Sequence, residues 1–402
     1  MLSVDEAIEA ILARARPLPA IRVPLRAALG ATLAEDVRAD IDLPPFDKAL
    51  MDGYAVRSVD LAEPGDHELR IVAEIFAGQT STRPLRSGEA ALIMTGAPLP
   101  SGADAVVMVE RAKPVGDRAV IVPGPVAAGS NRLERAREMR SGEVVVPRGT
   151  RIRPAGLGLL ASTGRSVVAV VPFPSVRVVP TGDELVPVDR RPEAGQIRDS
   201  NSAMLAALAE AWGVRSIEEQ PIAPDEPRAL RSALGSGLGA DVLLISGGVS
   251  AGLKDLVPST LVDLGVEPVF HKVRVKPGKP LWFGAGPDRE GRPGALVFGL
   301  PGNPASGLVG FLLFVRPALE ALAGRADPRP RPTRAALARP FRHRGDRPTY
   351  HPSRIEAGQV EPLEWAGSAD LRTVAMADGF AVFPAGDRDH QRGDFVEFLP
   401  LD

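Results

Sequence analysis

Residues that could do chemistry are concentrated in four short turns in the middle of the chain. Each turn is rich in glycine or proline and carries carboxylates, hydroxyls or lysines; the four are Thr181-Gly182-Asp183-Glu184-Leu185, Ser246-Gly247-Gly248-Val249-Ser250, Lys276-Pro277-Gly278-Lys279-Pro280 and Leu300-Pro301-Gly302-Asn303-Pro304. Three of them follow short apolar runs directly. An open α/β sheet binds its ligand at turns that end buried parallel strands. The charges predict an anionic ligand and are compatible with a metal ion.

The fourth turn predicts an anion site at the start of a helix. Asn303 can cap this helix, and Ser306 would lie in its first turn. Free N–H groups at a helix start attract phosphate or another oxyanion, and Gly302 allows close backbone approach. An ordinary capped helix is the alternative. The lysines of the third turn, Lys276 and Lys279, favour binding because lysine acts as a point charge toward such anions.

Three carboxylates supply the opposite charge. Glu184, Asp225 and Asp255 each follow or lie near the end of a predicted strand. Mg2+ is usually held by one or two carboxylates together with substrate phosphates, so these residues suit phosphoryl chemistry. The alternatives are that Asp225 is the N-cap of a helix with Pro227 in its first turn, and that the other two are solvated loop residues.

The elements that would position the turns form a doubly wound α/β domain. Residues 176–179, 241–245 and 295–298 are short apolar runs with sharp limits, typical of strands buried on both faces. Residues 202–212 predict a helix between the first two runs, closed by Gly213. This is a β-α-β crossover. Alternation of strands and helices indicates the doubly wound class.

Turn and composition signals divide the chain into four predicted domains. Residues 326–332 are rich in proline and arginine and predict an extended linker. Short alternating runs beyond it predict a small β-barrel-like domain, and short strands between about 60 and 135 predict a β-rich module. The predicted domains are 1–51 with 138–173 (helical and linker), 52–137 (β-rich), 174–325 (α/β) and 326–402 (C-terminal β).

Composition excludes several kinds of chemistry. The 402 residues are 44% hydrophobic and 24% charged, which is ordinary for a soluble enzyme of several domains. The absence of cysteine excludes disulfides, thiolate nucleophiles, iron–sulfur clusters and Cys-type zinc sites. The five histidines are far apart and lack the spacing of a zinc site. Oxygen and nitrogen ligands must therefore do the chemistry.

Charge and hydropathy give no sign of nucleic acid or membrane as a partner. The net charge is -2, the N-terminus lacks the features of a signal peptide, and the most apolar stretch, 307–315, is followed directly by Arg316 and Pro317. Arginines are dense from Arg325 to Arg347, without interleaved aromatic residues before Phe341. We interpret them as a solvated linker face and expect a cytoplasmic protein.

The ordered set of motifs resembles the molybdopterin molybdotransferase family, which includes MoeA and the E domain of gephyrin. The four turns are preceded by Pro45-Phe46-Asp47, Met51-Asp52-Gly53-Tyr54-Ala55-Val56 and Met94-Thr95-Gly96-Ala97-Pro98. Any one motif is weak, but together they span nearly the whole chain in the family's order. The resemblance implies a molybdopterin-binding-like central domain and a Mg2+-assisted insertion of molybdate into adenylylated molybdopterin, with release of AMP. It also implies an elongated homodimer, with a molybdopterin adenylyltransferase as a candidate upstream partner.

The resemblance assigns a role to each motif residue. Glu184, Asp225 and Asp255 would hold the metal and the pyrophosphate region, and Asp52 would reach the site of the partner subunit. The residues expected at the substrate and molybdate are Thr95, Ser246, Gly247, Gly248, Lys276, Lys279, Pro301, Gly302, Asn303, Ser306, Arg354 and Ser368. Molybdate and tungstate have nearly the same size and charge, so the sequence does not distinguish them.

One departure from the family pattern keeps other functions open. Ala136-Arg137-Glu138 occupies the place where the family usually has Gly-Glu-Asp. A turn glycine is lost, and glutamate replaces the usual aspartate. A paralogue or scaffold that binds molybdopterin with little transfer is one alternative, and ligand binding without AMP release would support it. An adenylyltransferase that makes the adenylylated pterin from ATP is the other, and it would consume ATP with molybdopterin alone.

Overall fold

The computed structural model describes residues 1–249 and 256–401, so Asp255 and Ser250 lie outside the described residues. The helices in these ranges are α1 (Val4–Leu12), α2 (Pro154–Ser162), α3 (Asn201–Ala211), α4 (Pro227–Gly237), α5 (Leu256–Asp263), α6 (Pro304–Gly310), α7 (Arg316–Leu322) and α8 (Leu371–Ala375), with short 3-10 helices at Leu25–Ala28, Ser58–Leu61 and Val109–Arg111.

The strands of the first half of the chain are β1 (Ile21–Pro24), β2 (Thr32–Leu33), β3 (Val37–Arg38), β4 (Lys48–Ala49), β5 (Gly53–Val56), β6 (Gly65–Ile75), β7 (Glu89–Ile93), β8 (Ala105–Met108), β9 (Lys113–Val115), β10 (Ala119–Gly124), β11 (Arg132–Leu133), β12 (Val144–Val146), β13 (Val167–Val171) and β14 (Val176–Pro180). Those of the second half are β15 (Leu185–Val186), β16 (Ile197–Arg198), β17 (Ile217–Glu219), β18 (Val242–Ser246), β19 (Glu267–His271), β20 (Trp282–Ala285), β21 (Leu296–Leu300), β22 (Thr333–Leu337), β23 (Phe341–His343), β24 (Thr349–Glu356), β25 (Gln359–Pro362), β26 (Gly379–Phe383), β27 (Arg388–His390) and β28 (Phe395–Pro400).

The chain forms two compact units. The first unit contains Met1–Glu35, Gly149–Pro154 and Val167–Asp402, and the second contains Asp36–Arg148 and Ala155–Ser166. The first unit includes α1, a three-stranded sheet in the order β1-β13-β2, the α/β sheet and the C-terminal barrel. The finer division into four domains stays a prediction.

The first unit is built around a six-stranded sheet in the order β17-β14-β18-β21-β20-β19. The four strands β17, β14, β18 and β21 are parallel, whereas β20 runs antiparallel to β21. The three predicted strands are thus confirmed as β14, β18 and β21. Alternate side chains enter two cores: Val178 and Leu244 pack with α3 and α6, whereas Val179 and Ile245 pack with α4 and α5. Helices cover both faces of the sheet, which confirms the doubly wound class.

A long apolar helix covers one face of this sheet. It runs through α6, a five-residue π-helical segment (Phe311–Val315) and α7. The helix Pro304–Leu322 is long and apolar enough to cross a membrane, but 89% of its apolar window is buried inside the protein, which places it in the core. Arg316 and Pro317 follow the apolar stretch but do not end the helix, which continues through Leu322. The Arg316 guanidinium stacks 3.5 Å from the centre of the Trp212 ring, and Pro317 falls where the π pattern changes to α.

The expected N-cap role of Asp225 is also wrong. The residue before α4 is Glu226, whose backbone is extended (φ -112°, ψ 135°), and Pro227 is the first helical residue. The proline ring disfavours helical geometry in the residue before it, so the helix begins one residue later than predicted. The Asp225 carboxylate therefore does not cap α4.

The C-terminal part of the first unit is a closed barrel. Its strands are β22, β25, β24, β26 and β28, joined in that order, and β23 pairs with β27. The barrel core contains Val360, Phe383 and Phe398. Closure removes the free edges that a small sheet would otherwise expose. The predicted barrel-like domain is confirmed.

The second unit contains another six-stranded sheet, in the order β8-β5-β7-β6-β10-β9. Alternate residues of β5 serve two cores, since Tyr54 and Val56 pack on one face and Ala55 on the other. A Cβ atom on Gly53 would lie 2.0 Å from the Val107 carbonyl oxygen, so the first residue of β5 must be glycine. The predicted β-rich module is confirmed.

The departure at Ala136 carries backbone strain. Ala136 has a φ of 59°, in the left-handed region that favours glycine. Its N–H donates to the Pro44 carbonyl oxygen at 3.0 Å, which holds the turn in this conformation. Glu138 follows, with its carboxylate 3.8 Å from the Lys48 ammonium. The turn thus keeps a glycine conformation although the glycine is missing.

Ala136→Gly is expected to stabilise the second unit by about 0.5 to 1 kcal/mol, because glycine reaches a positive φ without a Cβ clash, while its freedom in the unfolded chain offsets part of the gain. The measurement is the free energy of unfolding in urea. Ala161→Gly is the matched control: Ala161 is exposed in α2, where glycine should destabilise by about 1 kcal/mol. Destabilisation by both substitutions would contradict the strain at Ala136.

Candidate functional site

Three of the four turns meet at one edge of the α/β sheet. The turns after β14, β18 and β21 are joined by backbone hydrogen bonds: Thr181 N–H donates to the Ser246 carbonyl at 3.0 Å, and Gly247 N–H donates to the Leu300 carbonyl at 3.1 Å. This is the carboxyl edge of the parallel strands, where ligands of doubly wound sheets bind. A cavity of about 350 Å³ lies at this edge, and we call it the sheet-edge cavity.

Asn201 fixes two of these turns from the start of α3. Its side-chain amide donates to Ser246 Oγ at 2.9 Å and to the Gly302 carbonyl at 2.8 Å. Asn201 is 8% exposed, and its Oδ1 has no hydrogen-bond partner among the described residues. Thr181 Oγ1, in a residue that is 1% exposed, also lacks one. Buried polar atoms are normally paired, so these two wall atoms are suited to a polar ligand.

The predicted glycines of the second turn are required by close packing. Gly247 has a φ of 94°, and a Cβ atom there would lie 2.5 Å from the Thr181 carbonyl oxygen. Gly248 has a φ of 64°, and its Cβ would lie 2.7 Å from Thr181 Oγ1. Only glycine allows the turns after β14 and β18 to approach this closely. The wall of the sheet-edge cavity depends on that approach.

Carboxylates gather near the same edge. Glu184 lines the sheet-edge cavity, and Asp183 Oδ1 accepts a 3.0 Å hydrogen bond from Asp225 N–H. Partial burial raises the pKa of Asp225, and the negative charges of Asp183 and Glu184 raise it further. Sequence reasoning found Glu184 and Asp225 but missed Asp183, although it is adjacent to Glu184. A cation would relieve this repulsion.

The described residues do not contain a complete metal site. In residues 1–249 and 256–401, no three His, Cys, Asp or Glu side chains are arranged to hold a metal ion. Asp255, the third predicted metal ligand, lies outside these ranges. The carboxylate oxygens of Glu184 and Asp225 nevertheless have the right chemistry for Mg2+, which needs only one or two protein carboxylates when phosphate oxygens complete its shell.

The two predicted lysines line a larger cavity of about 640 Å³, which we call the lysine cavity. Lys276 and Lys279 project from the third turn, and Asn303, Ser306 and Ser368 lie on the same wall. Pro280, Pro301 and Asn303 line both cavities, so the two adjoin. The structure therefore brings together the predicted residues Ser246, Gly247, Gly248, Lys276, Lys279, Pro301, Gly302, Asn303, Ser306 and Ser368.

The helix start behind Asn303 is not the open anion site that the sequence predicts. Ala305 N–H donates to the Ser368 carbonyl at 3.1 Å, and Ser306 and Gly307 N–H donate to the Asn303 carbonyl at 3.0 Å. The Asn303 side chain caps nothing and donates to Ser368 Oγ at 2.8 Å. The first N–H groups of α6 are thus engaged within the protein. Cationic side chains must supply the attraction for an anion.

Arginines of the barrel supply additional positive charge. Arg342, Arg344 and Arg347 line the lysine cavity, so the interpretation of the whole arginine-rich segment as a solvated linker face was wrong. Arg347 Nη1 also donates to the Val275 carbonyl at 3.2 Å. The predicted Arg354 is not on the cavity wall, because its Nε donates to the Met376 carbonyl at 2.7 Å. The short pattern around Arg354 pointed to the wrong arginine of the barrel.

An aromatic wall faces these cations. Phe341, His351 and Trp365 line the lysine cavity, and the rings of His351 and Trp365 meet edge to face with centres 5.5 Å apart. His351 Nε2 donates to the Leu363 carbonyl at 2.8 Å. Residues this distant in sequence carry no local signal, so sequence reasoning did not find them. The cavity thus offers cations for an oxyanion and rings for a planar group.

The two predicted residues of the second unit contact each other. Asp52 Oδ1 accepts hydrogen bonds from the backbone N–H and the hydroxyl of Thr95, both at 2.7 Å. These two bonds lower the pKa of Asp52. The carboxylate is exposed and held ionised in one orientation. It is described here within the second unit only.

Comparison with known families accounts for nearly the whole chain. Residues 2–164 match the family region described as the MoeA N-terminal region (domain I and II), residues 177–321 match a probable molybdopterin binding domain, and residues 334–401 match the MoeA C-terminal region (domain IV). A molybdopterin molybdenumtransferase from Staphylococcus aureus (strain Mu50 / ATCC 700699) is 33% identical over 405 residues, covering 99% of this chain and 95% of the relative. The chain belongs to the molybdopterin molybdenumtransferase (MoeA) family.

Other members of the MoeA family resemble the chain over its full length. The molybdopterin molybdenumtransferase of Synechococcus elongatus is 35% identical over 413 residues, covering 100% of both chains. The crystal structure of the molybdopterin biosynthesis moeA protein from Pyrococcus horikoshii OT3 superposes with a TM-score of 0.85 at 29% identity, also covering 100% of both chains. The resemblance found in the sequence motifs is confirmed.

His351 should make the stability of this MoeA protein sensitive to acid. Burial, together with the charges of Arg339 and Lys276, lowers the pKa of His351 to about 4. The folded protein favours neutral His351, whereas the unfolded chain binds a proton with a pKa near 6.5. This stabilisation is therefore complete above pH 6.5, and roughly 3 kcal/mol is lost as the pH falls to about 4.

The test compares unfolding free energy against pH for wild type and His351→Gln, whose amide can still donate to Leu363. The difference between pH 7 and pH 4 should be smaller in His351→Gln. His67→Gln, in the second unit, is the matched control for loss of a histidine elsewhere in the chain. Equal slopes in wild type and His351→Gln would contradict the role of burial.

Proposed function

We propose that the chain inserts molybdate into adenylylated molybdopterin, with Mg2+ assistance and release of AMP. Its membership of the MoeA family supports the general statement: the chain is a molybdenum-transferring enzyme of molybdenum cofactor biosynthesis. The identity of the adenylylated substrate, the metal and the leaving group belong to the proposal.

The observation that carries the proposal is the adjacency of two cavities with different charges. The lysine cavity presents the cations Lys276, Lys279 and Arg347, whereas the sheet-edge cavity presents the carboxylates of Glu184 and Asp199 together with Arg198. A small oxyanion such as molybdate suits the first, because lysine and arginine bind oxyanions directly. A phosphate-containing pterin with a divalent cation suits the second.

In this arrangement the protein binds and orients the substrates. Lys276, Lys279 and Ser306 would hold molybdate beside the dithiolene sulfurs that receive molybdenum. Glu184 and Asp225 would hold Mg2+, which would withdraw charge from the phosphoanhydride when water attacks it, so that AMP leaves and the pterin keeps its own phosphate. A protein nucleophile is not needed, which agrees with a chain that has no cysteine.

We further propose that two copies of the chain complete each site. The segment that carries Asp52 exposes large apolar side chains: Phe46 is 39% exposed, Leu50 45% and Met51 46%. Apolar exposure next to an ordered carboxylate is typical of an interaction surface. In a homodimer with this contact, Asp52 and Thr95 of one subunit would act at the lysine cavity of the other.

The direct test is AMP release by the purified protein given adenylylated molybdopterin, Mg2+ and molybdate. Release should depend on molybdate, and Lys279→Ala or Arg347→Met should raise the half-saturating molybdate concentration about tenfold, because each removes a charge-assisted contact. Arg354→Met is the matched variant, since Arg354 points away from the cavity, and it should stay near wild type. Binding without release would favour the paralogue or scaffold, and ATP consumption with molybdopterin alone would favour the adenylyltransferase.

Mixing two inactive variants tests the shared site. Asp52→Asn and Lys279→Ala should each be nearly inactive at limiting molybdate. In a mixed dimer one site carries both substitutions and the other carries neither, so random exchange of subunits should restore about a quarter of wild-type activity. The control is each variant alone, taken through the same subunit-exchange procedure. If the mixture stays inactive although co-purification through two different affinity tags shows mixed dimers, each subunit contains its own complete site.

A further inference from the structure

A third cavity of the first unit lies apart from the proposed transfer site. It is located between the ends of α3 and α7 and has a volume of about 220 Å³. It has no wall residue in common with the lysine cavity or the sheet-edge cavity. Its apolar walls include Phe173, Trp212, Leu319 and Leu401. The proposed transfer reaction does not use this cavity.

Two arginines provide the positive charge of this cavity. Arg325 is largely buried on its wall, and Arg151 is exposed there. Arg325 Nη2 donates to the Gly30 carbonyl at 2.7 Å, whereas its Nη1 is buried and has no hydrogen-bond partner among the described residues. Burial, together with the charge of Arg151, lowers the pKa of Arg325 to about 10. The guanidinium stays charged at neutral pH.

The acidic residue on the wall is already engaged. The Glu320 carboxylate lies 3.2 Å from Arg316 Nε, and the Arg316 guanidinium stacks on the Trp212 ring. In the part of the chain that the structure describes, neither Arg325 nor Arg151 forms an ion pair with a carboxylate. A largely buried charge that keeps an unpaired donor is costly, and a bound anion removes that cost.

We propose that this cavity binds a carboxylate attached to a small apolar group. Arg325 offers the planar fork that matches a carboxylate, and Arg151 adds positive charge. The rings of Phe173 and Trp212 and the side chains of Leu319 and Leu401 accommodate the apolar group. A bare inorganic anion would leave these walls without a partner.

Isothermal titration with benzoate, benzamide and inorganic phosphate tests the site on the full chain. Benzoate should bind at least tenfold more tightly than benzamide, which has the same ring without the charge, and more tightly than phosphate. Arg325→Lys and Arg151→Met should each weaken benzoate binding severalfold. Arg153→Met is the matched control: Arg153 is exposed in the same segment but is not on the wall, so binding should be unchanged.

The outcomes decide the proposal. Benzoate binding to wild type that is weakened severalfold in both Arg325→Lys and Arg151→Met supports the site. Equal binding of benzoate and benzamide, binding that survives both arginine substitutions, or no benzoate binding would overturn the proposal. Arg151→Met keeps the test valid if Arg325→Lys does not fold, since Arg151 is exposed.

Discussion

The lysine cavity depends on two backbone junctions that hold the barrel against the α/β sheet. Tyr350 N–H donates to the Lys276 carbonyl at 2.7 Å, while Lys276 N–H donates to the Pro348 carbonyl at 2.9 Å. On the other side, Ala305 N–H donates to the Ser368 carbonyl. The first junction fixes the lysine turn, and the second fixes the helix start. Lysines from the third turn of the α/β domain and arginines from the barrel therefore line the same cavity.

The second junction determines how charge is distributed at the site. Because the first N–H groups of α6 are occupied, the helix contributes little direct hydrogen bonding to an anion. Positive charge in the lysine cavity comes from flexible side chains of the third turn and the barrel, whereas carboxylates gather at the opposite end near Glu184 and Asp225. Pro280 and Pro301 lie between the two regions and give them a stiff common wall.

Local signals in the sequence predicted most of the fold but only some of the residues that line the site. Apolar runs ending in glycine or proline turns identified β14, β18 and β21, because buried parallel strands leave that pattern in any sequence. Asp225 is not a helix cap, because Pro227 keeps Glu226 extended and so moves the start of α4 one residue along the chain. The sequence predicts Arg354 at the anion site, whereas Arg347 lines the lysine cavity. The direction in which a barrel side chain points depends on strand pairing, which a short motif does not show. The aromatic wall needs contacts between residues that are remote in sequence, and no local pattern encodes those.

The long helix α6–α7 has a consequence for synthesis of the chain. Its composition is that of a membrane-spanning segment, so its apolar surface is exposed to water until the sheet covers it. The strands that receive it, β14, β18 and β21, all precede it in the chain. On a ribosome these three strands therefore emerge before the helix does. The order of the elements limits the time during which a targeting factor or another nascent chain could capture this helix.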